Sequence, residues 1–192
     1  MASQRDPEET NVPLCVDLDG TLIKADVLIR SAMALIRSRP FCSFRMPLWL
    51  LRGKAYLKRQ IALRTTFDPA ALPYNVTLLD MLRKEKERGR CLLLVTASDV
   101  IMAKPIADYL GLFDEVLGSD GTRNLRGWVK ASILKERFGI RGFDYAGNSW
   151  ADLQVWECCR EAIVVGESRS LIGKTLKLGV VVRALGDRSR NK

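Results

Sequence analysis

Residues 13–23 read Pro-Leu-Cys-Val-Asp-Leu-Asp-Gly-Thr-Leu-Ile, and no other stretch constrains the fold as tightly. An apolar run ends in two carboxylates, Asp17 and Asp19, and a Gly-Thr pair turns the chain away. Strand alternation sends Asp17 and Asp19 to the same side, with Leu18 pointing elsewhere. Gly20 allows a tight turn at the strand's C-terminal edge, where open parallel sheets carry their chemistry. Two carboxylates this close repel each other unless one is protonated or a cation sits between them. A hard, oxygen-seeking ion such as Mg²⁺ resolves that repulsion.

Three plainer readings compete. Two Asp in a turn can serve only as hydrogen-bond acceptors for the turn itself. A calcium loop needs a bidentate Glu at its twelfth position, and counting from Asp17 that position is Leu28. A surface turn has no need of the apolar run before it. The rest of the chain has to decide.

Strand and helix patterns alternate through that rest. Asp26 is placed to cap a helix reaching about Arg37, with Leu28, Ala32 and Leu35 on one line, Ile29, Met33 and Ile36 on the next, and Pro40 beyond. A second helix is expected from Pro47 to about Thr65, although Gly53 interrupts its stripe. A helix from about Thr77 stops at Gly89. Residues 91–95, Cys-Leu-Leu-Leu-Val, form the short continuous apolar run of a strand buried on both faces. Asp99 can cap a helix ending at Gly111. A weaker strand covers 113–117, and a helix from about Gly127 to Phe138 ends at Gly139. Strands at 143–146 and 162–165 flank a helix from Trp150 to about Arg160, and 180–182 reads as one more strand. This alternation predicts right-handed crossovers and an α/β fold, a three-layer Rossmann-like parallel sheet with helices on both faces. Residues 24–74 form a small helical insert after the first strand. The core is expected at 11–23 and 75–185, with flexible ends at 1–10 and 186–192.

In such a sheet the residues just past each strand meet at one edge. The first strand delivers Asp17 and Asp19, the second Thr96, Ala97 and Ser98, and the strand at Phe143 delivers Gly147-Asn-Ser-Trp-Ala-Asp152. Lys130 lies near the start of a helix, where its stem reaches the same crevice. Each has a structural alternative: Thr96 and Ser98 as helix caps, Lys130 as a solvated lysine, Ser149 with Asp152 as a capping box.

Together, in this order, they resemble the haloacid dehalogenase superfamily. Its pattern of D-x-D-G-T, Thr or Ser, Lys and a final acidic loop matches Asp17-Leu-Asp-Gly-Thr21, Thr96, Lys130 and Gly147 to Asp152. The insert resembles that family's small cap. More loosely, the arrangement resembles the phosphatase-like domains found ahead of UbiA-type prenyltransferases in bacteria. The resemblance implies a phosphatase with Asp17 as nucleophile, Asp19 as acid and base, and Thr96, Ala97 and Lys130 on the phosphoryl group. It also implies Mg²⁺ at Asp17, Asp19 and Asn148, with Asp152 behind them in the metal group. Asn148 departs from the family's usual Asp, and it favours the alternative of a weak or inactive domain that binds a phosphorylated ligand or a membrane prenyltransferase partner. Dehalogenation is disfavoured because Asp19 suits protonation of an alkoxide.

Composition sets further bounds. The chain of 192 residues has no His, which removes Ser-His-Asp and Cys-His mechanisms and His-ligated zinc. No apolar run approaches a membrane span, the N-terminus lacks a signal-peptide pattern, and five Cys without C-x-x-C spacing read as reduced thiols in a cytoplasmic protein. The formal charge of +9 is uneven. From Val27 to Phe67 there are nine Arg and Lys and no Asp or Glu, leaving 22 basic against 22 acidic residues elsewhere. Such an insert can face an anionic membrane surface, a lipid-linked phosphate or a small-molecule phosphate ester, and Phe41, Phe44, Leu48, Trp49 and Leu51 either join that contact or pack on the core. No nucleic-acid motif accompanies the charge, so no nucleic-acid partner is expected.

Overall fold

A computed structural model describes residues 12–38 and 40–186. Apart from Gly186, the expected flexible ends lie outside the described residues. Six parallel strands lie in the order β3-β2-β1-β4-β5-β6: β1 (Leu14–Val16), β2 (Leu92–Asp99), β3 (Glu115–Ser119), β4 (Asp144–Gly147), β5 (Glu161–Val165) and β6 (Val181–Leu185). Helices cover both faces, giving the three layers that alternating strand and helix patterns demand.

The period of two along each strand sorts the core. Leu14, Val16, Leu92, Leu94, Ala146 and Ile163 point to one face, where α5 (Val76–Glu87) and α6 (Val100–Leu110) supply Leu78, Leu82, Met102 and Ile106. Cys15, Leu93, Val95, Tyr145, Ala162 and Val164 point to the other, against α7 (Trp128–Phe138), α8 (Leu153–Trp156) and α9 (Arg169–Leu176). Each fully buried Leu or Val contributes about 1.5–3 kcal/mol. Strands buried on both faces therefore read as unbroken apolar runs.

Caps mark most boundaries as the sequence suggests. Asp26 accepts from the Ile29 amide, Asn75 from Leu78 and Asp99 from Ile101, while Gly111 closes α6 in the left-handed region. Three expectations are corrected. The second insert helix is two, α3 (Met46–Leu51) and α4 (Lys54–Ala62), because Gly53 between them holds φ at +108°, a value no helix tolerates. The helix after Trp150 is a 3-10 turn (Trp150–Asp152) and the four-residue α8, ending before Cys158. Helix α9 was not expected: it is eight residues long, contains Gly173, and only its Ser168 cap gives a signal.

Between β1 and α5 lie α1 (Val27–Ser38), α2 (Pro40–Ser43), α3, α4 and a 3-10 turn at Pro69–Ala71. These insert helices enclose a small cluster of their own around Leu35, Trp49 and Ile61. Trp49 is thus buried, but Phe41, Phe44, Leu48 and Leu51 do not pack on the core; they face water. Among the described residues, no helix is long and apolar enough to cross a membrane.

Candidate active site

Strand β1 stops at Val16, yet the Asp17 amide still donates to Ala146 O (2.9 Å), holding Asp17 at the sheet's C-terminal edge. The chain then winds back, with Leu22 N donating to Asp17 O and Ile23 N to Leu18 O. Leu18, Leu22 and Ile23 are buried beneath this turn. The two carboxylates share one pocket of about 300 Å³, also lined by Lys58, Ala97, Ser98, Arg126, Lys130 and Asp152.

Asp17 is buried. Its Oδ1 accepts from Lys130 Nζ at 2.7 Å and its Oδ2 from Thr21 Oγ1 at 3.2 Å. Burial pushes its carboxyl up to about 6, with the charges of Asp152 and Asp19 adding to the rise and Lys130 opposing it. Asp19 is held from two sides: Oδ1 accepts from the Val27 amide at the start of α1 (2.8 Å) and Oδ2 from Ser98 Oγ (2.5 Å). Burial raises its carboxyl too, against those hydrogen bonds. A carboxyl held above its ordinary value is suited to carrying a proton to a leaving group.

The end of β2 presents Ala97 and Ser98 to the pocket. Thr96 is fully buried behind them, and its Oγ1 accepts from the Ser98 amide (2.9 Å). A hydroxyl that accepts can still donate its own proton. Asp152 is buried and fully engaged: Oδ1 accepts from Tyr145 Oη (2.9 Å), and Oδ2 from the amides of Asn148 and Ser149 and from Ser149 Oγ. It shapes the loop that carries Asn148. Asn148 Nδ2 donates to Gly20 O (2.7 Å), which joins the third loop to the first. Gly20 has φ at +76°, and a Cβ there would stand 2.4 Å from Asn148 Nδ2. Only glycine fits.

Asp17, Asp19, Lys130, Ala97 and Asp152 therefore line one pocket, with Thr96 in β2 and Asn148 in the loop after β4 behind it. Sequence reasoning missed three contributors. Tyr145 falls in the strand expected at 143–146, and its hydroxyl accepts from Lys130 Nζ (2.7 Å) and donates to Asp152. A buried tyrosine hydroxyl needs such partners, and that is the one signal available. Lys58 reaches from α4 to Ala97 O (2.6 Å) and Asn124 Oδ1 (2.9 Å), and burial lowers its ammonium below the ordinary value. Arg126 lines the pocket from the loop before α7.

The donor chemistry fits a hard cation. Among the described residues, no three His, Cys, Asp or Glu side chains are grouped to hold a metal ion. A cation beside Asp17 would therefore have to draw on backbone carbonyl or side-chain amide oxygens as well.

A family model described as haloacid dehalogenase-like hydrolase matches residues 14–157. The chain belongs to that family. It is 39% identical over 178 residues to "Uncharacterized protein y4nM" of Sinorhizobium fredii (strain NBRC 101917 / NGR234), covering 92% of this chain and 34% of that relative. The chain thus spans about a third of the relative's length. A Bordetella pertussis Tohama I protein of unknown function superposes with a TM-score of 0.67 at 18% identity, over 92% of this chain and 99% of that one. A phosphoserine phosphatase solved as an analogue of its phospho-aspartyl intermediate superposes with a TM-score of 0.59 at 15% identity, over 92% and 93%. At such identities the haloacid dehalogenase-like fold is what is shared.

Proposed function

We propose that this hydrolase is a Mg²⁺-dependent phosphomonoesterase working through an aspartyl-phosphate on Asp17. One observation carries the reading: a buried carboxylate paired with Lys130 shares a pocket with a second carboxylate whose position is fixed independently by Ser98 and the first amide of α1. Asp17 attacks phosphorus and the ester P–O bond breaks, with the proton of Asp19 passing to the leaving oxygen. Water then attacks the phosphorus of the aspartyl-phosphate, its proton goes to Asp19, and phosphate leaves with Asp17 restored. Lys130, kept in place by Tyr145, offsets charge on the phosphoryl oxygens. Ala97 near the end of β2 completes that contact, and Thr96, expected on the phosphoryl group, acts from behind it by holding the Ser98 amide. Mg²⁺ held by Asp17, the Asp19 carbonyl and Asn148, with Asp152 positioning the loop, would neutralise further charge there.

The substrate is a small-molecule or lipid-linked phosphate ester; the two share the phosphoryl chemistry. Free thiols at Cys15, Cys42, Cys91, Cys158 and Cys159 suit a reducing, cytoplasmic setting. Asn148, one charge short of a carboxylate, favours a second reading in which phosphorylated ligands bind without turnover.

The test is phosphate release from a panel of soluble and lipid-linked phosphate esters, with and without Mg²⁺, by wild type and Asp17→Asn. The variant keeps the shape and loses the nucleophile, so turnover should fall at least roughly a thousandfold with an unchanged circular dichroism spectrum. Wild type that binds esters but releases no phosphate establishes the second reading. A variant within tenfold of wild type removes Asp17 from the chemistry.

A further inference from the structure

We propose that the tip of the helical insert is a docking surface for anionic membrane. This goes beyond the phosphatase reading and is independent of it, since none of the tip residues below lines the catalytic pocket.

The tip is α2, the turn at Phe44 and Arg45, and α3. The join is close to helical: Arg45 N donates to Cys42 O and Trp49 N to Arg45 O, and Arg45 itself has α-helical dihedrals. Spacing along such a path separates two apolar faces. Cys42, Met46 and Trp49, at steps of four and three, turn inward to the cluster with Leu35 and Ile61. Phe41, Phe44, Leu48 and Leu51, at steps of three, four and three, turn outward and are 83, 79, 61 and 83% exposed. An amphipathic surface helix has one apolar face, and here the insert's own interior already uses it. Among the described residues the second face is unpartnered.

Charge selects the occupant. Arg45 and Arg52, seven residues apart, flank the outward face, and no Asp or Glu occurs from Val27 to Phe67. Among the described residues, neither arginine has a carboxylate partner; Arg52 instead lies over the Tyr56 ring and donates to its hydroxyl. A protein partner of ordinary composition would not call for an entire segment free of acid. Exposed aromatic and aliphatic side chains bordered by arginine match the boundary of an anionic bilayer, where the rings enter the headgroup region and the guanidinium groups meet lipid phosphates. With no membrane-crossing helix among the described residues, the contact would be peripheral.

The experiment is sedimentation of the full chain with vesicles of phosphatidylcholine, with and without phosphatidylglycerol, at low and physiological salt. Binding is expected only with phosphatidylglycerol, and it should weaken as salt screens the charges. Arg45→Glu with Arg52→Glu, and separately Phe41→Ser with Leu51→Ser, should each weaken it roughly tenfold or more. Circular dichroism checks the fold of both. Phe41→Trp gives a reading that depends on no loss: the added tryptophan should be quenched by brominated acyl chains in anionic vesicles. No sedimentation at low salt, or binding untouched by either double substitution, overturns the proposal. So does a vesicle-free dimer that the Phe41→Ser, Leu51→Ser variant dissolves, because a second copy would then be what covers the tip.

Discussion

Asn148 is the residue on which the metal half of the proposed chemistry turns. In that proposal its amide would do two jobs that a carboxylate cannot combine. Nδ2 holds the Gly20 carbonyl, leaving only Oδ1 for a cation. In Asn148→Asp the Nδ2 donor is lost, about 1 kcal/mol, and a negative charge faces the Gly20 carbonyl. Without Mg²⁺ the variant should therefore melt below wild type. With Mg²⁺ the added charge should return about 1–3 kcal/mol. For a chain of this size each kcal/mol moves the Tm by roughly 2–4 °C, so the Mg²⁺-induced rise should be several degrees larger in the variant. Differential scanning calorimetry with Mg²⁺ and with chelator measures both; equal rises would place Asn148 outside the metal's reach. Asp17, Asp19 and Lys130 could be read from sequence because each follows a strand or opens a helix at a fixed offset. Lys58 and Tyr145 could not. Lys58 meets partners 39 and 66 positions away, and no local pattern encodes that.

At the scale of elements, the opposite edge of the sheet is tied by charge. Asp144 at the start of β4 is fully buried, paired with Arg90 before β2 and with Arg160 before β5 (2.7 Å), and it accepts from the Glu161 amide (3.0 Å). Arg90 also reaches Glu85 at the end of α5 (3.1 Å) and Val12 O (2.8 Å). Burial alone would raise the Asp144 carboxyl, but hydrogen bonds from Arg160 and the charge of Arg90 win and hold it below its ordinary 3.8. A carboxyl lowered by folding gives stability that is present above its unfolded value and is lost as pH falls through the folded one. Asp144→Asn leaves Arg90 buried with less compensation, so it should cost about 3 kcal/mol at neutral pH. As pH falls below the ordinary 3.8 the gap should narrow, because the unfolded wild-type chain then takes up a proton at Asp144 that the folded state resists. Urea unfolding at neutral pH and below that value checks this, and a constant gap would assign the cost to packing. Elements that carry their own stop signals, such as α6 between Asp99 and Gly111, were legible beforehand. The break at Gly53 and the helix α9 were not, because a lone glycine is ambiguous inside a helical stripe and eight residues show too little periodicity.

Across the whole molecule, a basic insert sits on a core whose pocket is rich in carboxylate, and polar contacts join them beside that pocket. Lys58 bonds Ala97 O and Asn124, Arg59 Nη1 meets Asp99 Oδ1 at 2.9 Å, and Ile23 bridges to Tyr74. Asp99 is also the cap of α6, and among the described residues its Oδ2 is buried without a hydrogen-bond partner. Arg59 is therefore the counter-charge of a carboxylate that cannot reach water. Its stem packs over Gly121, where a Cβ would stand 3.0 Å from Arg59 Cγ. Arg59→Met keeps much of that stem and deletes the charge. Because Arg59 is itself one-third exposed, the loss should be modest, about 1 kcal/mol, and should fall on the attachment of the insert. Hydrogen exchange resolves such a local change: amides of α4 should exchange several-fold faster, while those of β1, β4 and β5 keep their wild-type protection. A uniform acceleration would mean that Asp99 supports the whole sheet through α6. No change in α4 would mean that apolar contacts of Ala62 and Leu72 with the core hold the insert by themselves.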